Sequence, residues 1–283
     1  MMATEEKRIA LLIDADNAPA AKIDVILAEV ARHGVANVRR AYGNWKSQHL
    51  GGWERTLHEY AIRPIQQFAY SSGKNASDMA MVIDAMDLLY ARNLDGFAIV
   101  SSDADFTPMV MRLLTEGVKV YGFGEKKTPM PFVNACSKFT YLEALGQVAS
   151  TDSTEPVTTT TPKTAKELRG DTRLVQMLRS AVDSGAGDDG WSHLGAVGHQ
   201  ISNQASFDSR NYGYRKLSDL IEASGLFEVR RDNQIVWIRP VAKARPRVAA
   251  EGATGDGKPA SAKATGNRAP RSRAARKPAP AKA

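Results

Sequence analysis

Short apolar runs alternate with longer stretches of helical period along residues 9–123. The runs predict strands over 9–13, 35–42, 61–67, 96–101 and 119–123, and the stretches between them predict helices over 19–33, 51–60, 78–91 and 106–116. Ile23, Ile26, Leu27 and Val30 share one face of the first helix and Trp53 and Leu57 one face of the second, while Ser77 stands where it would cap the third. Strand and helix in alternation build βαβ units. The expected fold class is therefore α/β, a mostly parallel sheet with helices on both faces in three layers.

Near residue 149 this pattern gives way to Thr, Ser and Pro, with too little apolar content to pack, and residues 149–165 read as a linker. A smaller domain follows over 166–240. Its pattern predicts helices at 166–184, 192–203 and 216–223, then a hairpin with strands at 227–230 and 235–238 about Asp232-Asn233, the layout of a winged helix. Residues 241–283, rich in Ala, Lys, Arg, Pro and Gly, are expected to be disordered.

Composition sharpens this picture in three places. The 283 residues suit about two domains. The lone Cys136 excludes a disulfide framework and a Cys-rich zinc site. The sequence contains no apolar run long enough to span a membrane, and its start leads into a strand rather than a signal segment, so a cytoplasmic protein is expected. The formal net charge of +7 is unevenly spread: eleven Lys/Arg against Glu251 and Asp256 lie after Val241, leaving residues 1–240 at −2. The tail reads as a polyelectrolyte arm for nucleic acid, or as a solubilising extension.

Candidate chemistry sits at the ends of the strands. Asp14 closes the first strand and Asp103 follows the fourth, so one crevice at the carboxyl edge of a parallel sheet can hold both. Asp78 opens a helix, where the dipole favours a carboxylate, and Asp105 reads either as a member of the cluster or as a helix cap. Like charges brought together repel, and a cluster of hard oxygens is best reconciled with Mg2+ or Mn2+. Asp84 lies about 120° around the helix from Asp78 at about 100° per residue, and reads either as a supporting site residue or as a structural anchor. Asp16, beside Asp14 in sequence, reads as a turn-stabilising residue. Asn17 is placed to orient a phosphate or the attacking water. Lys74 is placed to meet a substrate phosphate, or is an ordinary loop lysine.

Ile13-Asp14-Ala15-Asp16-Asn17, the stretch from Lys74 through Asp78 to Asp84, and Val100-Ser101-Ser102-Asp103-Ala104-Asp105-Phe106 with Gly117-Val118-Lys119-Val120 resemble the NYN domain, a relative of PIN-domain nucleases. The resemblance covers about residues 7–147, and the catalytic domain is placed at 7–148. It implies a PIN-like fold and a ribonuclease site in which Asp14, Asp78, Asp103 and Asp105 are catalytic and hold the metal, with Asn17 and Ser102 beside them. Asp78-Met79-Ala80-Met81 is less aliphatic than the family's usual stretch.

Gly190-Trp191-Ser192, Phe207-Asp208, Asn211-Tyr212-Gly213-Tyr214-Arg215-Lys216-Leu217, Leu220-Ile221 and Phe227-Glu228-Val229 resemble the LOTUS (OST-HTH) domain, which implies a module for binding RNA or protein. Arg210, Tyr212, Tyr214, Arg215 and Lys216 interleave rings with cations, as a surface for unstacked bases and phosphates requires; alternatively the tyrosines pack the core. Taken together, the sequence is expected to encode a ribonuclease acting on single-stranded or structured RNA. An RNA-binding adaptor with an inactive acidic pocket, or a LOTUS domain that docks a protein partner, are the alternatives.

Overall fold

The computed structural model describes residues 6–68, 76–91, 93–146, 161–233 and 235–241. Lys74, most of the expected linker and the basic tail lie outside the described residues.

Among the described residues, the first domain has six strands: β1 (Arg8–Asp14), β2 (Val35–Gly43), β3 (Arg63–Gln66), β4 (Gly96–Val100), β5 (Lys119–Gly124) and β6 (Lys138–Tyr141). Every pairing is parallel, in the order β3-β2-β1-β4-β5-β6. A parallel strand covered on both faces must be apolar on both. Accordingly, β1 sends Ile9, Leu11 and Ile13 into the core shared with α1 (Ile23–Val30) and α2 (Trp53–Glu59). Its alternate residues Ala10 and Leu12 enter the core shared with α3 (Ala76–Ala91), α4 (Thr107–Thr115) and α5 (Met130–Ala135). The three-layer α/β architecture expected from the pattern is the one found.

Three local expectations are corrected. The sequence pattern ended at the fifth strand, but α5 and β6 extend the sheet; at six and four residues they are too short to show a period. Helix α3 already includes Ala76 and Ser77, so Ser77 is a first-turn residue and not the cap. The single helix expected over 166–184 is two, α6 (Ala165–Gly170) and α7 (Thr172–Ser184), because the Asp171 carboxylate accepts from the Leu174 N–H at 3.0 Å and starts a new helix.

The second region continues with β7 (Ser192–His193), α8 (Leu194–Gln204), α9 (Leu217–Ser224), β8 (Phe227–Asp232) and β9 (Ile235–Pro240), the strands pairing antiparallel in the order β7-β9-β8. Leu168, Leu178, Val197, Ile201, Leu220 and Ile238 are buried in its own core. Asn233 turns the hairpin with φ of 54°, a left-handed conformation that asparagine tolerates. No helix among the described residues is long and apolar enough to cross a membrane.

Candidate active site

The sheet reverses its direction of growth at β1, where the chain moves out to β2 and β3 and returns on the other side as β4. The carboxyl end of such a reversal is the crevice where ligands bind in open α/β sheets. Asp14 is the last residue of β1 and belongs, by alternation, to the face of Ala10 and Leu12 that α3 covers. Asp78 lies in the first turn of α3, and Asp103 and Asp105 follow β4. Sheet, helix and loop thus deliver four carboxylates to one region.

Asp14 is 1% exposed. Its Oδ2 accepts from the Ser101 hydroxyl at 2.7 Å and from Asn17 Nδ2 at 3.0 Å. Its Oδ1 is buried without a hydrogen-bond partner among the described residues. Burial pushes this carboxyl up from its ordinary pKa, against the hydrogen bonds from Ser101 and Asn17. Asp78 is pushed up to about 6, first by burial and then by the charges of Asp14, Asp103, Asp16 and Asp105. One group therefore feels all the others.

The Asp103 carboxylate accepts from the Asp105 N–H at 2.8 Å and caps the short 3-10 turn Ala104–Phe106. Asp103, not Asp105, is the cap, and Asp105 lies exposed inside the turn. The Ser101 hydroxyl, which donates to Asp14, also accepts from the Asp103 N–H at 3.0 Å. Ser102 is turned to a different task, accepting from the Glu125 N–H at 2.9 Å and tying the loop after β4 to the end of β5. The close approach there needs Gly124, where a Cβ would stand 2.6 Å from the Ser101 carbonyl oxygen.

Two further carboxylates are sorted by the structure. Asp84 accepts from Arg40 and from the Tyr42 hydroxyl, anchoring α3 to β2. Asp16 does not follow strand alternation, because β1 ends at Asp14 and the Asn17 N–H donates to the Asp14 carbonyl at 3.3 Å, closing a turn. Its charge raises both Asp14 and Asp78.

Among the described residues, no three His, Cys, Asp or Glu side chains stand close enough to enclose a metal ion as they are arranged. The donor set nevertheless fits a hard divalent cation in kind: all oxygen, with one buried oxygen of Asp14 left without a partner.

Residues 8–143 match the family model of the NYN domain, and residues 169–238 match that of the OST-HTH/LOTUS domain. The chain carries an NYN domain followed by a LOTUS domain. None of the curated proteins compared with the chain matches it. A crystal structure titled as a protein of unknown function from Vibrio parahaemolyticus is similar at 18% identity and a TM-score of 0.41, covering 50% of this chain and 96% of its own.

The LOTUS domain packs directly on the NYN domain. Asn211 donates through Nδ2 to the Phe139 carbonyl at 2.9 Å and accepts at Oδ1 from the Tyr141 N–H at 3.0 Å, pairing with β6 as a strand would. Arg210 forks onto Glu29 of α1, at 2.7 and 2.6 Å, and reaches Asp208 at 2.6 Å. Lys138 completes the group at 3.2 Å from Glu29 and 3.4 Å from Asp208. Burial would raise both carboxyls, but it is outweighed. The His33 ring, 3.6 Å away, and the hydrogen bonds from Arg210 hold Glu29 well below the usual carboxylate range, and Arg210 with Lys138 does the same for Asp208.

The expected nucleic-acid residues therefore divide. Arg210 is corrected to an interdomain contact, since both carboxylates already engage its guanidinium. Tyr212 packs against the LOTUS core and stacks on Phe207 with ring centroids 5.9 Å apart, and Tyr214 donates to the Lys163 carbonyl at 2.6 Å. Arg215 and Lys216 are exposed and make no ion pair among the described residues. They line a cleft of about 630 Å³ between the domains together with Arg32, Arg210 and Tyr214.

Proposed function

We propose that this protein is a ribonuclease of the cytoplasm that uses Mg2+ or Mn2+ to hydrolyse RNA phosphodiester bonds in its NYN domain, while the LOTUS domain and basic tail hold the RNA. The observation that carries this reading is the gathering of carboxylates at the switch point of the sheet, where burial and then the charges of Asp14, Asp103, Asp16 and Asp105 raise the pKa of Asp78. Asp14, Asp78, Asp103 and Asp105 would hold the metal. When bound, it would supply a Lewis acid that draws charge from the phosphate oxygens. The chain's own contribution is positional: Ser101 and Asn17 hold Asp14 by one oxygen and leave the other unengaged, and Ser101 fixes the Asp103 backbone beside it. Arg215, Lys216 and Arg32 support contact with RNA phosphates at the interdomain cleft, and Lys74 belongs to the same proposal on sequence grounds.

The open spacing of the carboxylates among the described residues favours a second reading, an RNA-binding adaptor whose NYN pocket is silent. Incubating the full chain with labelled single-stranded RNA separates the two. Cleavage is expected with Mn2+ and not with chelator or with Asp103→Asn. Binding without cleavage by the unmodified protein would leave the adaptor, and cleavage that persists in chelator would remove the metal from the mechanism.

A further inference from the structure

In a parallel sheet the loops after β2 and β3 emerge at the same end as the acidic residues, and the reading above gives no role to the loop after β2 or to the residues just past β3. Tyr42 lies beside Asp14 in register and Ile65 beside Tyr42. The end of β3 is thus about 10 Å along the sheet from Asp14, at about 4.8 Å per strand. Just past that end Phe68 is 52% exposed, and Lys46, from the loop after β2, sits over its ring with Nζ 4.9 Å from the centroid.

A single exposed phenylalanine needs no explanation. This one differs in how it is held and where. Gln66 accepts from the Trp45 N–H at 2.9 Å and donates to Asn44 Oδ1 at 3.1 Å, while the Trp45 indole donates to the Ile65 carbonyl at 3.0 Å. These bonds lock the loop after β2 to the end of β3. The platform also adjoins the acidic cluster, for a Cβ at Gly43 would lie 3.4 Å from Asp16 Oδ1. An exposed ring, a cation without an ion pair among the described residues, and a rigid base beside a phosphodiester site are the parts of a surface for unstacked RNA.

We propose that Phe68 and Lys46 form a subsite for one nucleotide of single-stranded RNA next to the acidic centre. Phe68 stacks the base on the ring face that Lys46 leaves open, and Lys46 meets a phosphate. Because any base offers a π-face, the subsite selects single-stranded over duplex RNA without selecting sequence. This rests on the ribonuclease reading only for its place beside the scissile bond.

The test uses the full chain and single-stranded oligoribonucleotides in which an abasic nucleotide is moved along the strand. With Mn2+, one position is expected at which losing the base lowers kcat/KM roughly 10-fold. Phe68→Ala is expected to lose about as much on the intact RNA and nothing further on that abasic one, with Phe68→Trp restoring the base effect. Lys46→Ala should raise KM and reduce the salt slope of binding by about one. In chelator, 5-iodouracil at the same position should crosslink to Phe68 on irradiation, and the same sequence in a duplex should not. Crosslinking without any cleavage by the unmodified protein sinks the ribonuclease reading and keeps the subsite. Cleavage with no crosslink at Phe68, or with an abasic penalty that persists in Phe68→Ala, overturns the subsite and keeps the ribonuclease. Equal crosslinking to duplex overturns the single-strand selection.

Discussion

One hydroxyl, that of Ser101, donates to Asp14 and accepts from the Asp103 backbone, so it joins two carboxylates that the sequence leaves far apart. Ser101→Ala should cost about 1–3 kcal/mol of stability, seen in denaturant titration, because it strips partners from buried polar groups. It should also weaken Mn2+ binding about 10- to 100-fold by calorimetry. Asp103→Asn is expected to behave differently. Asparagine caps a turn as well as aspartate does, so melting should barely move while RNA cleavage falls about 100-fold or more, on the scale of removing one transition-state group. Asp78 gives a pH signature. Its pKa is raised from 3.8 to about 6, so in metal-free protein its contribution to stability is full below about 3.8 and is lost as pH rises through about 6. Metal binding needs the ionised carboxylate and should strengthen across the same window, which melting and Mn2+ titration from pH 4 to 7 would follow. The carboxylates themselves were legible, since strand ends and a helix start fix where they go. Ser101 was not, because choosing between it and Ser102 requires knowing the residue at which β4 stops.

The elements divide along similar lines. β1 and β4 announce themselves as unbroken apolar runs, whereas α5 and β6 are too short for any period, and only the cap at Asp171 reveals that α6 and α7 are separate. Hidden altogether was the contact between domains, because it joins residues distant in sequence whose types are ordinary for a surface. Arg210 illustrates this: beside Tyr212 and Arg215 in sequence it resembles an RNA contact, yet its partners are Glu29 and Asp208, only 4% and 6% exposed. Arg210→Ala should cost about 3–5 kcal/mol, since it leaves buried carboxylates without their main partner. Arg210→Lys should recover little of that, because an ammonium cannot fork onto both. Both carboxyls are held below their ordinary range. The stability they contribute is therefore complete above the usual carboxylate pKa and is lost only as pH falls well below it, so chemical denaturation should still find this contribution at pH 5 and find it diminished at about pH 2.

For the whole molecule, charge is divided between a body of net −2 and a tail of net +9. A chain ending at Val241 should bind RNA more weakly at low salt and with a shallower dependence of log K on log salt, while keeping its Mn2+-dependent cleavage; fluorescence anisotropy across a salt series would check this. The sequence suggested two domains joined by a tether, but Asn211 sets the LOTUS domain hydrogen-bonded along β6. β6 is an outer strand of the sheet, and an outer strand with unpaired backbone groups is a template for joining another chain. With the LOTUS domain bonded along it, β6 is expected to be closed to edge-to-edge pairing. An NYN fragment cut at Gly146 should self-associate with rising concentration in sedimentation experiments where the full chain does not, and a lysine placed at Thr140 should return that fragment to monomer.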